Sequence, residues 1–211
     1  MPQVPSRCAV ARVPEASRLA PLALLAALLV GCGGQGADTP APAATPSAEP
    51  SAEVPDFLTS SRSVSEPARL VVPDIGVDEE LIDLGIDESN GELEVPEDPD
   101  RVGWFTGGGK PGEEYPVVMA GHVDSTTGPA VFARLPELRP GQEFTVETED
   151  GQTHTYRIDE VRDVPQNAAF PTEDVYGKTE TSQIRLITCT GDYDRSIGRY
   201  TENRVVFASL V

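Results

Sequence analysis

Short apolar runs, each ended by proline, glycine or a turn sequence, are the feature that most constrains how residues 67–211 can fold. "ARLVVPDIG", "EELIDLG" and "GELEVP" come first, and the apolar run "EYPVVMAGH" follows. Runs of this length are typical of strands rather than helices. The chain also holds 20 prolines and 19 glycines, which favour turns over long helices. The sequence therefore predicts a mainly β fold.

The second half of this region continues the pattern. "EFTVETEDGQTHTYRIDEV" predicts a hairpin that turns at Asp150 and Gly151. "PAVFARLPEL" and "FPTEDVYG" predict short helices in the connections, and "SQIRLITC" and "RVVFASLV" predict the last strands. About eight strands with small helices between them favour a β-barrel over a sandwich, although strand spacing alone does not separate the two.

Residues 1–32 have the organisation of a signal peptide. The basic residues Arg7, Arg12 and Arg18 precede the apolar stretch "LAPLALLAALLVG", which is shorter than the about 20 apolar residues that span a bilayer. The following "LVGC" resembles a bacterial lipobox, which predicts that Cys32 becomes the lipid-modified N-terminus of the mature protein. The alternative is an uncleaved signal anchor that ends near Cys32. Both predictions place the rest of the chain outside the cytoplasm.

A linker and an acidic charge complete the organisation of the chain. Residues 33–66 are rich in Pro, Ala, Ser, Thr and Glu and offer almost nothing to bury, which predicts a disordered spacer between the membrane and a domain at 67–211. The formal net charge of −19 argues against a nucleic-acid partner, because an acidic surface repels phosphate.

The three cysteines have different predicted fates. Cys8 leaves with the signal peptide and Cys32 receives lipid, so Cys189 is predicted to carry a thiol in an exported protein. Such a cysteine can be a small buried hydrophobe or a nucleophile. Its position at the end of an apolar strand, directly before the polar "TGDYD", favours the nucleophile.

A reactive thiol needs a group that exchanges protons, and the chain has two histidines. His154 lies in the alternating "THTYRI" and is predicted to face solvent. His122 follows the apolar strand in "VVMAGHVDS". Two strands that end at His122 and Cys189 could present both side chains at one rim of a barrel, so the sequence predicts a Cys-His pair.

At these residues the sequence resembles the sortases, the cysteine transpeptidases of Gram-positive cell surfaces. The family's Thr-Cys at a strand end is present as "LITC", with a histidine upstream and arginines downstream. "GHVDSTTGPAVFARLPELRPGQ" and "VGWFTGGGKPGE" are similar to the actinobacterial class F, and the resemblance covers about residues 67–211. It implies a sortase-like β-barrel.

The resemblance also implies a mechanism without cofactor or metal. Cys189 would attack the carbonyl between Thr and Gly of a Leu-Pro-any-Thr-Gly-like sorting signal and form a thioacyl enzyme. His122 would protonate the departing amine and later deprotonate the incoming one, and Thr188 would hold the substrate backbone. The implied partners are surface proteins with a C-terminal sorting signal, and an amine of a peptidoglycan precursor or a pilin.

An arginine would stabilise the developing oxyanion. Asn203 occupies the place where many sortases carry it, so we rank Arg204 first, with Arg195 and Arg199 as alternatives. On a regular strand Arg204 would face the other side unless a bulge intervenes. Asp124 is expected either to orient the imidazole or to be a solvated loop acid.

Two other functions remain open at the level of sequence. One is a cell-wall acyl-transferase similar to the L,D-transpeptidases, although "RLITCTG" lacks their Ser-His-Gly-Cys cluster. The other is a non-catalytic surface lipoprotein in which Cys189 is buried and unreactive. No loop has the Asp/Asn-Gly-Glu spacing of a calcium site, so no metal site is predicted.

Overall fold

A closed barrel of eight strands forms the body of the protein. The computed structural model describes residues 64–167 and 169–211. Its strands, inside and outside the barrel, are β1 (Pro67–Val72), β2 (Val77–Leu84), β3 (Ile86–Asp87), β4 (Glu92–Leu93), β5 (Val102–Phe105), β6 (Val117–Ala120), β7 (Asp124–Ser125), β8 (Gly128–Pro129), β9 (Glu143–Thr148), β10 (Thr153–Pro165), β11 (Gln183–Asp194) and β12 (Arg199–Leu210). The strand order around the barrel is β1-β2-β5-β6-β11-β12-β10-β9. The prediction of a mainly β barrel is confirmed.

Two of the pairings in the barrel are parallel, β2 with β5 and β6 with β11, and the remaining pairings are antiparallel. Outside the barrel, β3 pairs with β4 and β7 with β8 in two small sheets. The one described α-helix, α1 (Thr172–Tyr176), lies in the connection before β11. It matches the helix predicted in "FPTEDVYG".

Two elements differ from the sequence prediction. The strand expected in "GELEVP" is only Glu92–Leu93 and does not join the barrel. Its place beside β2 is taken by "VGWF" of β5, four buried residues whose pattern does not alternate. Of the one or two helical turns expected in "PAVFARLPEL", the structure has the 3₁₀ turn Leu135–Glu137. Pro136 supplies no backbone N–H for a longer helix.

The barrel wall has an apolar cluster on each side. Side chains alternate along β11, so Ile184 and Leu186 join the inner cluster, whereas Ile187 joins a second cluster on the outer face. We call this second group the outer cluster. It consists of Leu84, Leu93, Phe105, Val118, Ala120, Val164, Phe170, Val175, Ile187, Val205 and Phe207. Residues Phe170 and Val175 come from the segment that contains α1, which therefore packs on the outer face of β6, β11 and β12.

Within the described ranges, no helix has the length and apolarity needed to cross a membrane. The predicted signal segment at 1–32, with Cys32, and the predicted linker as far as residue 63 lie outside the described residues.

Candidate active site

Two adjacent strands bring His122 and Cys189 to the same side of the barrel wall. Strands β6 and β11 run parallel, with Ala120 opposite Ile187. The backbone N–H of Gly121 donates to the carbonyl of Ile187 at 3.1 Å, so the pairing continues past the end of β6. Because side chains alternate along a strand, His122 and Cys189, each two residues further on, share the face of Ala120 and Ile187.

The segment that leads into His122 is held by close packing and by one buried hydrogen bond. A Cβ atom on Gly121 would lie 2.8 Å from side-chain atoms of Val131 and Phe132, so only glycine fits there. The hydroxyl of Thr188 donates to the carbonyl of Gly121 at 2.8 Å. Thr188 is 1% exposed, and its side chain therefore joins the two strands next to the histidine.

The imidazole of His122 has a defined orientation. Its Nε2 lies 2.7 Å from the carbonyl oxygen of Pro96, and the residue is buried. A carbonyl oxygen can only accept, so Nε2 carries the hydrogen of this bond. In the neutral ring Nδ1 is then the nitrogen that can accept a proton.

Cys189 is 1% exposed, which differs from the expected rim position. Strand β11 does not end at this residue but continues to Asp194. Cys189 is also disulfide-bonded in the full chain, and the two remaining cysteines, Cys8 and Cys32, lie outside the described residues. The prediction of a thiol at Cys189 depended on removal of Cys8 with the signal peptide and on lipid modification of Cys32. Only reduced Cys189 has the thiol that the predicted nucleophile requires.

The hairpin beyond Cys189 is irregular. The register of β11 and β12 shifts between Thr190 and Tyr193. Gly191 has φ 81°, and a Cβ atom there would lie 2.6 Å from the hydroxyl oxygen of Thr201. This irregularity turns the end of the hairpin and decides which side chains lie near the cysteine.

The three candidate arginines occupy different environments. Arg204 lies opposite Thr188 rather than Cys189, with no register shift between them, and forms a bidentate ion pair with Asp163 at 2.6 Å. It therefore faces away from the cysteine, as expected for a regular strand. Arg195 is exposed in the hairpin turn, whereas Arg199 and His122 both line the cavity described next.

A cavity of about 470 Å³ adjoins the imidazole of His122. Arg199 reaches its wall and forms two 3.1 Å hydrogen bonds with the carboxylate of Glu92. The other charged groups that line the cavity are acidic, namely Asp83, Asp87, Glu94 and Glu97. Arg199 is thus the cation that the structure brings to the histidine side of the site.

Asp124 has neither of the roles expected from the sequence. Its Oδ2 accepts a 2.6 Å hydrogen bond from the hydroxyl of Tyr200 on β12, and its Oδ1 is buried. Desolvation, with the neighbouring carboxylate, raises the pKa of Tyr200 to about 12, so this hydroxyl remains a hydrogen-bond donor even at alkaline pH. Tyr200 therefore ties the hairpin to the segment that follows His122.

His154 lies elsewhere on the barrel wall. It is half-buried on β10, opposite Val146 of β9.

Gln166, which the sequence analysis did not single out, lies at the site: its Nε2 is 3.6 Å from the Cys189 sulfur. Gln166 follows the end of β10, 23 residues before the cysteine, and no local pattern marks it.

A family model of the sortase domain matches residues 70–211. The match spans the whole barrel except the first strand residues, and it includes His122, Thr188 and Cys189. No match was found among curated protein sequences.

Solved structures with a similar fold are also sortases. Sortase C-1 from Actinomyces oris is 24% identical, with a TM-score of 0.51 over 68% of this chain and 72% of that chain. Sortase C1 from Streptococcus agalactiae is 21% identical, with a TM-score of 0.53 over 73% and 71%. A lid mutant of sortase A from Corynebacterium diphtheriae is 21% identical, with a TM-score of 0.52 over 73% of each chain. Likenesses at this level of identity show a shared fold.

Proposed function

Because the chain belongs to the sortase family, we propose that Cys189 is its nucleophile and His122 its general acid and base. Sortases are cysteine transpeptidases that anchor or join surface proteins, so this protein is an enzyme of that class. The observation that supports the residue assignment is the parallel pairing of β6 and β11. Its register, continued two residues beyond Ala120 and Ile187, would put both side chains on one face.

In the first half-reaction the thiolate of Cys189 adds to the carbonyl carbon of the scissile peptide bond. The bond between that carbon and the amide nitrogen then breaks. His122 gives its proton to the departing amine, and the acyl group stays on the sulfur as a thioester.

In the second half-reaction an amine attacks the thioester carbon. His122 takes a proton from the attacking nitrogen, a new amide bond forms, and Cys189 leaves as the thiolate. No electrons are gained or lost. The joined protein is released, and the enzyme returns to its starting state.

Arg199 is the better candidate for the arginine of the site than Arg204. Arg199 lines the same cavity as His122, whereas Arg204 lies opposite Thr188 and pairs with Asp163 on the other face. A substrate carbonyl that displaced Glu92 from Arg199 would receive a charge-assisted hydrogen bond. This role for Arg199 replaces the first-ranked Arg204 of the sequence analysis.

The finer assignment is a class F enzyme that cleaves a Leu-Pro-any-Thr-Gly-like signal and transfers the protein to an amine of a peptidoglycan precursor or a pilin. Its support is the similarity of "VGWFTGGGKPGE" and "GHVDSTTGPAVFARLPELRPGQ" to that class. These stretches contribute β5 and the segment that starts at Gly121 and His122.

Anchoring through the N-terminal segment belongs to the same proposal. A lipid on Cys32, or an uncleaved signal anchor, would hold the enzyme on the outer face of the membrane, where its substrates emerge. The support is the "LVGC" sequence after an apolar stretch. Mass spectrometry of the native protein should find Cys32 as a lipidated N-terminus, and an intact Met1 or Pro2 without lipid would contradict the lipoprotein.

The test of the catalytic assignment uses the reduced full chain, a panel of fluorogenic Leu-Pro-any-Thr-Gly-like peptides and an amine acceptor. Wild type should cleave at least one peptide and form the ligated product. Cys189→Ala and His122→Ala should form none, whereas His154→Ala should retain wild-type turnover. Equal turnover by wild type and Cys189→Ala would contradict the assignment.

A further inference from the structure

The side chain of Gln166 approaches the proposed nucleophile from the residue that follows β10, the strand on the far side of β12. Its Nε2 lies 3.6 Å from the Cys189 sulfur, 2.8 Å from Oδ1 of Asn203 and 3.1 Å from the carbonyl oxygen of Glu202. The backbone N–H of Gln166 also donates to the carbonyl of Thr201 at 3.1 Å. Both its backbone and its side chain therefore hold this residue in place.

The orientation of this amide follows from its partners. The carbonyl of Glu202 can only accept, so the atom beside it must be the nitrogen of the amide. That nitrogen has two hydrogens and three neighbouring acceptors, one of which is the sulfur. Among the described residues the Oε1 of Gln166 is buried without a hydrogen-bond partner. The amide thus presents a donor, and not an acceptor, to Cys189.

We propose that Gln166 is a further catalytic residue, whose side-chain amide donates a hydrogen bond to the thiolate of Cys189 and then to the substrate carbonyl oxygen. The proposal rests on the proposed function, in which Cys189 is the nucleophile. As the carbon–sulfur bond forms, negative charge moves from the sulfur to an oxygen that is two bonds away. A donor beside the sulfur is therefore also close to the developing oxyanion.

Gln166 is an uncharged hydrogen-bond donor to the sulfur. Asn203, the register partner of Cys189, is uncharged, and Arg204 faces the other way. A hydrogen bond from an amide favours the charged form of a thiol and lowers its pKa. Gln166 itself neither gains nor loses a proton, so the donor is present at every pH of the assay.

A purely structural role predicts something different. The bonds of Gln166 to Asn203 and Glu202 could simply hold the end of β10 against β12. A latch of this kind would affect the melting temperature, but it would leave the titration of the thiol unchanged. The pH dependence of thiol alkylation therefore separates the two roles.

The experiment compares Gln166→Glu and Gln166→Ala with wild type in the reduced full chain. Gln166→Glu is the sharper variant, because it keeps the shape of the side chain while it replaces the donor by a carboxylate. Asn167→Ala is the matched control, since this exposed neighbour lies in the same loop. Alkylation of Cys189 by iodoacetamide is followed by mass spectrometry of the Cys189 peptide, which keeps it apart from Cys8 and Cys32.

In Gln166→Glu the midpoint of alkylation should rise by about one pH unit or more. Turnover of the peptide substrate should fall about 100-fold in kcat, with little change in KM. Gln166→Ala should show the same directions with smaller shifts, and Asn167→Ala should match wild type. An unchanged alkylation midpoint with a lower melting temperature would overturn the proposal and show that Gln166 has only a structural role.

The two proposals fail separately. If wild type processes no peptide, the proposed function fails, while the alkylation midpoint still decides whether Gln166 contacts the thiolate. If wild type is active and Gln166→Glu keeps both its kcat and its midpoint, the role of Gln166 fails and the function stands.

Discussion

Replacement of Thr188 by valine tests whether this hydroxyl positions the histidine segment or binds substrate. Its only hydrogen bond among those described goes to the carbonyl of Gly121 at 2.8 Å, one residue before His122. Valine has nearly the same shape, so the substitution removes the hydrogen bond and little packing. The carbonyl of Gly121 is left without this donor.

The magnitude follows from the burial of the pair. Thr188 is 1% exposed, and a buried polar group that loses its partner costs about 1–3 kcal/mol. For a domain of this size that corresponds to a melting temperature lower by about 2–12 °C. Loosening of the segment should also lower kcat by about tenfold, since catalysis depends on the position of the imidazole.

Thr188→Ser is the matched control, because it keeps the hydroxyl and loses a methyl group. It should lower the free energy of unfolding by about 1 kcal/mol but retain the wild-type kcat. Thermal unfolding and peptide turnover would be measured for both variants in the reduced protein. If valine leaves the melting temperature unchanged and only raises KM, the hydroxyl of Thr188 binds substrate and the positioning role is wrong.

Further predictions concern Cys189 and three residues of β12, namely Arg199, Tyr200 and Arg204. Cys189→Ala should abolish turnover and also cost about 1 kcal/mol or more in unfolding experiments, because the side chain is buried; undiminished stability would show that its packing contributes nothing. Arg199→Ala should lower kcat/KM about 100-fold, whereas Arg204→Ala should stay near wild type in the same assay; the reverse order would restore Arg204. The folded state raises the pKa of Tyr200 from its ordinary value of 10.0 to about 12, chiefly because the hydroxyl is desolvated. It binds this proton more tightly than the unfolded state, so the free energy of unfolding should fall as pH rises between these values. Tyr200→Phe should reduce that fall in urea titrations, and an equal pH dependence in both proteins would contradict the raised pKa of Tyr200.

Local patterns were enough to predict the class of fold. The hairpin around Asp150 and Gly151 was readable because its two strands alternate and its turn needs glycine, and Gly151 has φ 80°. The strands at 67–72 and 117–120 were readable from short apolar runs. In contrast, the sequence does not predict "VGWF" of β5 as a strand. Its four consecutive residues are all buried, so they show no alternation of apolar and polar residues.

The sequence by itself also selected Cys189 and His122, because a thiol and an imidazole beside apolar strands are rare enough to stand out. It indicated these two candidate residues and the apolar strands that precede them. Only the tertiary structure decided that β6 and β11 are neighbours and parallel, with Ala120 opposite Ile187. Strand order depends on contacts between segments that are far apart in the chain, and local periodicity does not record those contacts.

The choice among the arginines and the position of Gln166 were likewise decided by the tertiary structure. The register of β11 and β12 turns Arg204 away from Cys189, and the irregular hairpin leaves Arg199 at the cavity of His122. Gln166 reaches the sulfur only because β10 pairs with β12. A shift of one residue in either pairing would exchange the faces of these side chains, so their roles depend on a register that the sequence pattern alone does not specify.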